Sequence, residues 1–196
     1  MNGRETRLTI TEEYPFERIP APLIDWYRKN KRQLPWRENP TPYRVWVSEI
    51  MLQQTRVEAA KEYYLRFVGC LPDVKALADC EEEKLLKLWE GLGYYSRVRN
   101  MQRTAKILCG QWGGRFPEEE KALRALPGIG EYTAGAILSI AFGQPVPAVD
   151  GNVFRVMSRL TENPTDISEP RYKSYVKETL SAVYPPAGQG CSDFTQ

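Results

Sequence analysis

Two acidic residues, Glu49 and Asp150, occupy positions where a carboxyl group can take part in a reaction. Glu49 lies within residues 46–52, Trp-Val-Ser-Glu-Ile-Met-Leu, a stretch that is otherwise almost entirely apolar. Burial in such surroundings raises the pKa of a carboxyl group, which suits a general acid at neutral pH. A core glutamate paired with a nearby arginine is an equally good interpretation of Glu49 from this pattern alone.

The second carboxylic acid, Asp150, precedes a helical pattern at the position of an N-cap. Considered alone, it is best interpreted as a helix cap and nothing more. A carboxylate held by helix N–H groups nevertheless stays charged, whereas Glu49 is expected to be protonated. Two carboxyl groups in such contrasting environments form an acid and stabiliser pair for an oxocarbenium-like transition state. The sequence alone does not show that the two residues meet in space.

A turn suited to a phosphate group lies between two helical patterns at residues 126–130, Leu-Pro-Gly-Ile-Gly. Gly128 and Gly130 can adopt backbone angles closed to other residues, and they expose N–H groups at the start of a helix. Small residues at positions 133–136 follow and allow close packing or close approach to a ligand. We therefore expect residues 126–152 to hold a DNA backbone and to deliver Asp150 to a reaction centre.

The composition excludes several other kinds of chemistry. The chain contains no histidine, which rules out Ser-His-Asp triads, histidine general bases and Cys/His zinc sites. The four cysteines lie far apart without a Cys-x-x-Cys pair, so structural thiols are favoured over a metal site or a disulfide framework. These residues are Cys70, Cys80, Cys109 and Cys191.

The elements that must position the candidate residues are predicted to be helices throughout. Helical periodicity dominates and no convincing pair of adjacent strands is present, so we predict an all-α fold. The helix that contains Glu49 is apolar nearly all round, and we therefore expect it to be buried, with Trp46 in the core. The predicted helices are 22–30, 43–54, 56–68, 73–79, 81–90, 95–108, 118–125, 132–142, 150–160 and 169–183.

Several helix ends are also predicted. Gly69 and Gly91 are expected to terminate the helices before them, and residues 32–41 are expected to form a loop. Ser192 and the residue after it are interpreted as the N-cap of a last helix that the chain leaves unfinished. The first helix places its apolar residues on one side, namely Leu23, Trp26 and Tyr27.

The bulk properties indicate a globular protein. A chain of 196 residues with 42% hydrophobic and 27% charged residues can form one core, or two small lobes that share a cleft. Basic clusters at residues 28–37 and 97–106 fit a surface that meets phosphates, although ordinary solvated helix faces explain them equally well at a net charge of +2. No apolar stretch approaches the ~20 residues of a membrane span, and residues 1–13 resemble no signal or transit peptide. We expect a cytoplasmic protein.

Six motifs occur in one order along the chain. They are Leu-Pro-Trp-Arg at 34–37, Val-Ser-Glu-Ile-Met-Leu-Gln-Gln-Thr at 47–55, Gly-Leu-Gly-Tyr-Tyr-Ser-Arg at 91–97, Leu-Pro-Gly-Ile-Gly at 126–130, Tyr-Thr-Ala-Gly at 132–135 and Val-Asp-Gly-Asn-Val at 149–153. Each motif is weak by itself, but the ordered set is specific. It closely resembles adenine DNA glycosylases of the helix-hairpin-helix, endonuclease III-like superfamily, from about residue 22 to residue 196.

The resemblance implies a two-lobed helix-hairpin-helix fold with a DNA-binding cleft between the lobes. We expect residues 1–21 to form an N-terminal extension and residues 22–196 to form the catalytic domain. One lobe, residues 42–147, is a helical barrel that contains the helix-hairpin-helix at 118–143. The other lobe combines residues 22–41 with residues 148–196 and is expected to be incomplete at its C-terminal end.

The resemblance also implies roles for four residues in the reaction. Glu49 matches the general acid that protonates adenine at N7, and Asp150 matches the carboxylate that stabilises the sugar cation at C1′. Tyr132 and Asn152 match residues that orient this pair. Tyr132 stands where bifunctional relatives carry a lysine, and a phenol cannot form a Schiff base. We therefore expect a monofunctional glycosylase that leaves the DNA strand intact.

The same resemblance implies where DNA is held. The base must be extruded from the duplex, because stacking hides its glycosidic bond from any side chain. Residues that match the surroundings of the extruded adenine are Arg32, Leu34, Trp36, Arg37, Leu52 and Val57. Residues that match the DNA-binding surface are Gln54, Thr55, Leu92 and Tyr94 on the side of the opposite base, and Leu126, Gly128, Ile129, Gly130 and Thr133 in the hairpin. Tyr94 is expected to wedge into the stack, with core packing as the alternative for Tyr94 and Trp36.

Members of this family carry a [4Fe–4S] cluster held by four cysteines, and a C-terminal domain that recognises 8-oxoguanine. Both lie beyond the last residue of this chain, so we expect a catalytic domain truncated before the cluster and no metal ligands within the chain itself. Cys191 does not replace a cluster ligand. Glu131 is unusual, because its place beside the phosphate is ordinarily neutral or basic.

The expected partner is double-stranded DNA with adenine opposite 8-oxoguanine or guanine. We expect the protein to bind it as a monomer and not to associate with a membrane. Two alternatives stay open at this point. One is an endonuclease III-type glycosylase for oxidised pyrimidines, which Tyr132 disfavours. The other is a helix-hairpin-helix fragment that binds DNA without catalysis.

Overall fold

A computed structural model describes residues 14–196, and within that range the chain is helical with no strand, as its periodicity predicts. A single 3₁₀ turn, Phe16–Arg18, precedes the α-helices. The α-helices are α1 Pro20–Asn30, α2 Pro35–Glu38, α3 Pro42–Leu52, α4 Val57–Cys70, α5 Val74–Asp79, α6 Glu82–Trp89, α7 Ser96–Trp112, α8 Glu120–Arg124, α9 Glu131–Ala136, α10 Gly151–Leu160, α11 Pro170–Val183 and α12 Cys191–Thr195. Nowhere in residues 14–196 is a helix long and apolar enough to cross a membrane.

The larger of the two apolar cores lies among α2 to α9. α3 buries seven of its eleven residues there, so the prediction of a buried helix with Trp46 in the core is correct. Aromatic rings join the surrounding helices edge to face, with Trp46 on Phe116 at 5.3 Å and Phe67 on Trp89 at 5.8 Å between ring centroids. This first core makes α3 a rigid support for Glu49.

The second core is small. Within the described residues it consists of Phe16, Met157, Tyr172 and Val176, contributed by the 3₁₀ turn, α10 and α11. The predicted N-terminal extension, residues 1–21, therefore contains Phe16 as a buried residue of this core, while residues 1–13 lie outside the described part of the chain. Asp150 begins α10, the helix that carries Met157 into the second core.

α1 and α12 pack against each other beside these cores, and Arg28 Nε donates to Asp193 Oδ2 at 2.7 Å. The predicted apolar side of the first helix is wrong in part. Ile24 and Tyr27 are buried, whereas Leu23 is 41% exposed and Trp26 is 60% exposed. Helical spacing identifies a row of residues, but the packing partner decides which neighbouring row is covered.

Several predicted boundaries also differ from the structure. Residues 35–38 form the short helix α2 instead of a loop, because Pro35 starts a turn that Trp36 anchors in the first core. α4 continues through Gly69 to Cys70 and ends where Leu71 enters the core, so the glycine does not terminate it. The last helix begins at Cys191 after Gly190, not after Ser192.

α7 extends past its predicted end at residue 108, as far as Trp112, where Gly113 adopts a left-handed conformation with φ 58°. α3 ends at Leu52, two residues before its predicted end, since Gln54 adopts φ 61°. Both differences follow from the residue that breaks the helix, which periodicity does not locate.

A close backbone contact aligns α9 with the segment that leads to Asp150. A Cβ on Gly135 would stand 2.5 Å from the carbonyl oxygen of Pro147, so only glycine allows this approach. α9 then passes into a π-helical turn, Ile137–Ala141, and Ser139 Oγ donates to the Gly135 carbonyl at 2.7 Å. The contact places the start of α10 beside Tyr132 of α9.

Candidate active site

Three helices from the two lobes meet at a cavity of about 510 Å³. α3 supplies Glu49, the first turn of α9 supplies Tyr132, and the N-terminus of α10 supplies Asp150 and Asn152, all four of which line the cavity. The four predicted catalytic residues are thus brought to one place although they are far apart in the chain.

Glu49 lies at the cavity wall, where solvent reaches only part of the side chain. Burial raises the pKa of its carboxyl group, the negative charge of Asp150 raises it further, and interactions with Tyr132 and Arg37 offset part of the rise. Within residues 14–196 no arginine or lysine forms an ion pair with Glu49. The geometry therefore favours a proton donor over a glutamate paired in the core.

Asp150 is the N-cap of α10, as predicted. One carboxylate oxygen accepts hydrogen bonds from the backbone N–H groups of Asn152 and Val153, both at 2.9 Å, and the other accepts from Asn152 Nδ2 at 2.7 Å. Arg155 in turn donates to Asn152 Oδ1 at 2.5 Å. These donors fix the orientation of the carboxylate, so the capping of α10 also determines how Asp150 faces the cavity.

Tyr132 faces the Glu49 carboxyl group from α9. Burial raises the pKa of its phenol strongly, and the charges of Glu49 and Asp150 raise it further. The phenol therefore stays protonated and available as a hydrogen-bond donor between the two carboxyl groups.

All six residues predicted to surround the extruded base line the cavity: Arg32, Leu34, Trp36, Arg37, Leu52 and Val57. Two of them, Leu34 and Trp36, are buried, and the Trp36 ring packs edge-on against Tyr64 at 5.4 Å. Trp36 is therefore a core residue, as the alternative interpretation predicts, and it also borders the cavity. Arg37 is held by donating to the Arg32 carbonyl at 3.3 Å.

Sequence reasoning missed other residues of the cavity wall. These are Val45, Ser48, Gln53, Ile140, Thr195 and Gln196. Ser48 and Gln53 adjoin residues that were identified, so a wider view of the same motif would have included them. Ile140 and Thr195 reach the cavity through the π-helical turn and α12, and no local pattern indicates that either segment borders the cavity.

Two turns carry the residues predicted to probe the opposite base, and the turn that contains Gln54 borders the cavity. Gln54 with φ 61° and Tyr94 with φ 46° both adopt left-handed backbone conformations. Tyr94 is 66% exposed, so core packing is excluded for this residue. Leu92 is buried in the first core, and its assignment to the side of the opposite base stays a prediction. Gln54 and Thr55 line the rim of the cavity.

The predicted hairpin joins α8 to α9 through residues 125–130. Gly128, with φ 77°, and Gly130 are exposed, and they offer backbone groups to solvent as expected. The side chains of Leu126, Ile129 and Thr133 are buried, and the assignment of these residues to the DNA-binding surface stays a prediction that only their backbone groups could fulfil. They anchor the turn in the protein, and only its backbone remains to meet a phosphate.

Glu131 at the start of α9 is neutralised by a second helix. Lys177 of α11 lies 2.5 Å from Glu131 and 3.8 Å from Glu120, and Arg124 lies 3.2 Å from Glu120. The hydrogen bond from Lys177 lowers the pKa of Glu131, so the carboxylate stays charged and paired. The expected repulsion between Glu131 and a phosphate is thus largely compensated by a network of four charges.

The described residues do not fit an iron–sulfur cluster. Within residues 14–196 no group of three or more histidine, cysteine, aspartate or glutamate side chains is placed to hold a metal ion. The four cysteines are free thiols, and the buried Cys191 donates to the carbonyl oxygen of Pro185 at 3.1 Å. No step of the chemistry below depends on a metal.

Residues 47–185 match the family described as HhH-GPD superfamily base excision DNA repair protein. The chain is 46% identical over 138 residues to the adenine DNA glycosylase of Buchnera aphidicola subsp. Acyrthosiphon pisum, which covers 70% of this chain and 39% of that protein. It is 41% identical over 183 residues to the adenine DNA glycosylase of Homo sapiens, with coverage of 89% and 33%. The chain thus spans between a third and two fifths of the length of these relatives.

Two solved structures share the fold. A thermostable thymine-DNA glycosylase superposes with a TM-score of 0.79 at 24% identity, covering 92% of this chain and 82% of that chain. A trapped covalent intermediate of endonuclease III with DNA superposes with a TM-score of 0.70 at 22% identity, covering 89% of this chain and 79% of that chain. At these identities the likeness concerns the fold alone.

Proposed function

The chain belongs to the HhH-GPD superfamily of base excision DNA repair proteins, and we propose that it hydrolyses the N-glycosidic bond of adenine mispaired with 8-oxoguanine or guanine. The observation that carries the proposal is the meeting of Glu49 and Asp150, from different lobes, at one cavity. Curated relatives named adenine DNA glycosylase support adenine as the base. The expected partner is double-stranded DNA of the bacterial nucleoid, bound by a monomer.

In the proposed reaction, the protonated Glu49 donates its proton to N7 of an extruded adenine. The C1′–N9 bond then breaks, and the electron pair leaves with the neutral base. Asp150, whose carboxylate is oriented by Asn152, stabilises the positive charge that develops on the sugar. Water adds to C1′ and releases a proton to the Glu49 carboxylate, which leaves an abasic site in an intact strand.

The cavity supports this assignment in size and lining. A volume of about 510 Å³ accommodates one purine, and both apolar and cationic groups line the wall. Extrusion requires contacts that replace the lost stacking, for which the exposed Tyr94 and the turn of Gln54 are candidates. In this proposal these two turns read the opposite base.

A single-turnover assay tests the proposal with a duplex that contains adenine opposite 8-oxoguanine. We expect the wild-type chain to release adenine, and Glu49→Gln and Asp150→Asn each to release it at least about 100-fold more slowly, because each substitution removes one charge or proton from the transition state. Equal rates for all three proteins, including no release by any, would contradict catalysis and favour a fragment that only binds DNA.

The rival reaction, strand cleavage by an endonuclease III-type enzyme, is tested separately. Tyr132 supplies a phenol where Schiff-base chemistry needs an amine. We therefore expect no covalent adduct when the chain is treated with borohydride and duplexes that contain oxidised pyrimidines. Tyr132→Lys is the matched positive control, since it places an amine at the same position. An adduct formed by the wild-type chain would overturn the proposed assignment.

A further inference from the structure

Two neighbouring turns of the first lobe adopt a backbone conformation that residues other than glycine rarely take. Among residues 14–196, three non-glycine residues have positive φ, and two of them are Gln54 and Tyr94. Such conformations persist only where the surrounding structure holds them. The turn of Tyr94 also contains Gly91 and Gly93 with φ 97° and 67°. Something must therefore hold these two turns.

One guanidinium group binds both turns at once. Arg97 Nη1 donates to the carbonyl oxygens of Ile50 at 2.7 Å and Gln53 at 2.8 Å, at the end of α3 and directly before Gln54. Its Nη2 donates to the carbonyl oxygens of Leu92 at 2.9 Å and Gly93 at 3.3 Å, directly before Tyr94. Each terminal nitrogen thus serves one turn.

Aromatic rings hold the guanidinium in this orientation. The Cζ atom of Arg97 lies 5.4 Å from the ring centroid of the buried Trp89 and 5.6 Å from that of Tyr94. The second contact couples Arg97 directly to the exposed ring on the DNA-facing side. A change in the placement of Arg97 therefore moves Tyr94 as well as the two backbones.

The same face of α7 also supports the hairpin. Asn100, one turn after Arg97, packs closely on Gly128, because a Cβ atom added to that glycine would lie 3.0 Å from the Asn100 Cβ atom. One turn further along, Thr104 Oγ1 donates to the Pro127 carbonyl oxygen at 2.8 Å. α7 is therefore the element against which all three turns of the proposed DNA-binding surface are placed, and Arg97 is its link to two of them.

We propose that Arg97 is a positioning residue, which sets the turn of Gln54 and the turn of Tyr94 at a fixed separation so that both engage the duplex around one extruded base. The inference rests on the proposed function, because it assumes that these turns face DNA. Lysine cannot replace the planar fork, since its ammonium group donates from a single point and cannot serve two pairs of carbonyl groups in one plane.

The test compares Arg97→Lys with Arg66→Lys. Arg66 is a matched control, because it also donates to a backbone carbonyl, that of Leu88 at 3.2 Å, and lies over an aromatic ring, that of Tyr63 at 4.8 Å. The substrate is a duplex with adenine opposite 8-oxoguanine and 2-aminopurine next to the adenine, whose fluorescence rises on unstacking. Circular dichroism at the assay temperature establishes that each variant is folded.

We expect Arg97→Lys to lose the fluorescence rise and to release adenine about 100-fold more slowly, the effect of misplacing groups by about 1 Å. Its binding to undamaged duplex should stay close to wild type, because phosphate contacts dominate that binding. Arg66→Lys should behave as wild type throughout. A merely structural role would lower the melting temperature of Arg97→Lys without changing the fluorescence rise of the folded protein.

A second variant tests the inference through the backbone of one turn, as a measurement independent of the fluorescence comparison. Asparagine tolerates the left-handed conformation better than glutamine and retains the amide, so Gln54→Asn combined with Arg97→Lys should recover several-fold of the lost rate. The inference is overturned if the folded Arg97→Lys protein unstacks the base like wild type, or if Gln54→Asn recovers nothing. If the wild-type chain unstacks the base but releases no adenine, the proposed function is contradicted. The inference about Arg97 is still tested in that case, by comparing the fluorescence rise of Arg97→Lys with that of the wild type.

Discussion

The two lobes differ in the size of their apolar cores, and each supplies one carboxyl group to the cavity. The first lobe alters the pKa of its carboxyl group, and the second lobe fixes the orientation of its own. The first lobe surrounds α3 with a large apolar core, and that burial raises the pKa of Glu49. The second lobe buries few residues, but the N-terminus of α10 offers N–H donors to Asp150. Raising the pKa of a carboxyl group by burial requires a large apolar core around it, whereas orienting a carboxylate requires only the N–H groups at the N-terminus of a helix.

The first contrast concerns stability at the two carboxyl positions, and it carries the largest effects. Both Glu49→Gln and Asp150→Asn should lose at least about 100-fold in adenine release. Glu49→Gln should nevertheless raise the melting temperature, because it removes a carboxyl group that burial disfavours in its charged form. Asp150→Asn should leave the melting temperature nearly unchanged, since asparagine caps helices as well as aspartate.

The pH dependence of this contrast has a definite sign. The pKa of Glu49 is higher in the folded than in the unfolded chain, so its carboxyl group destabilises the fold increasingly as pH rises above about 4.3, the ordinary value. The melting temperature of Glu49→Gln should therefore exceed that of wild type by more as pH increases. A difference that shrinks with rising pH would contradict the assignment of Glu49 as the disfavoured acid.

The second contrast compares a matched pair of core methionines. Met51 of α3 is 0% exposed and Met157 of α10 is 3% exposed. Met51→Ala should cost about 3–5 kcal/mol of unfolding free energy, and Met157→Ala about 2 kcal/mol, because the thin second core can close around the missing atoms. Urea unfolding measures both. Equal costs would show that the second lobe is as tightly packed as the first.

The third contrast concerns the contact between α9 and α3, where Tyr132 faces Glu49. The phenol of Tyr132 lowers the pKa of Glu49, so Tyr132→Phe should raise it. Activity that needs the protonated acid falls as pH passes through that pKa, and in Tyr132→Phe this fall should move to higher pH. Single-turnover rates across pH measure the shift, with Tyr175→Phe on the periphery of the second core as control. A shift toward lower pH would contradict the interaction.

The smallest effect concerns the ion pairs that join the hairpin to the second lobe. Lys177→Met should reduce stability by less than about 1 kcal/mol, since its pair with Glu131 is substantially exposed, and the loss should diminish at high salt. Lys177→Met should also weaken DNA binding, because it leaves the charge of Glu131 unpaired beside the hairpin, and adding Glu131→Gln should restore that binding. Lys87→Met, which removes an ion pair between Lys87 of α6 and Glu90 directly after that helix, is the control and should leave DNA binding unchanged.

Much of the fold follows from patterns that are local in sequence. The all-α class, the burial of α3, the N-cap at Asp150 and the hairpin before α9 were all predicted from periodicity and capping residues, and the family match confirms the fold. Local patterns did not distinguish the covered side of α1, where Ile24 is buried and Trp26 exposed. Nor did they show that the side chains of Leu126 and Ile129, which the family resemblance assigns to the DNA-binding hairpin, lie in the first core.

The sequence by itself determined which residues can do chemistry, because helix periods and caps depend on interactions within a few residues. Only the tertiary structure decided that Glu49, Tyr132 and Asp150 share one cavity, since that requires two lobes to be placed against each other. It also revealed that Arg97, the last residue of the motif at 91–97, lies at the point where two turns converge. Packing sets such long-range placement, through contacts like that of Gly135 with Pro147, which no local pattern encodes.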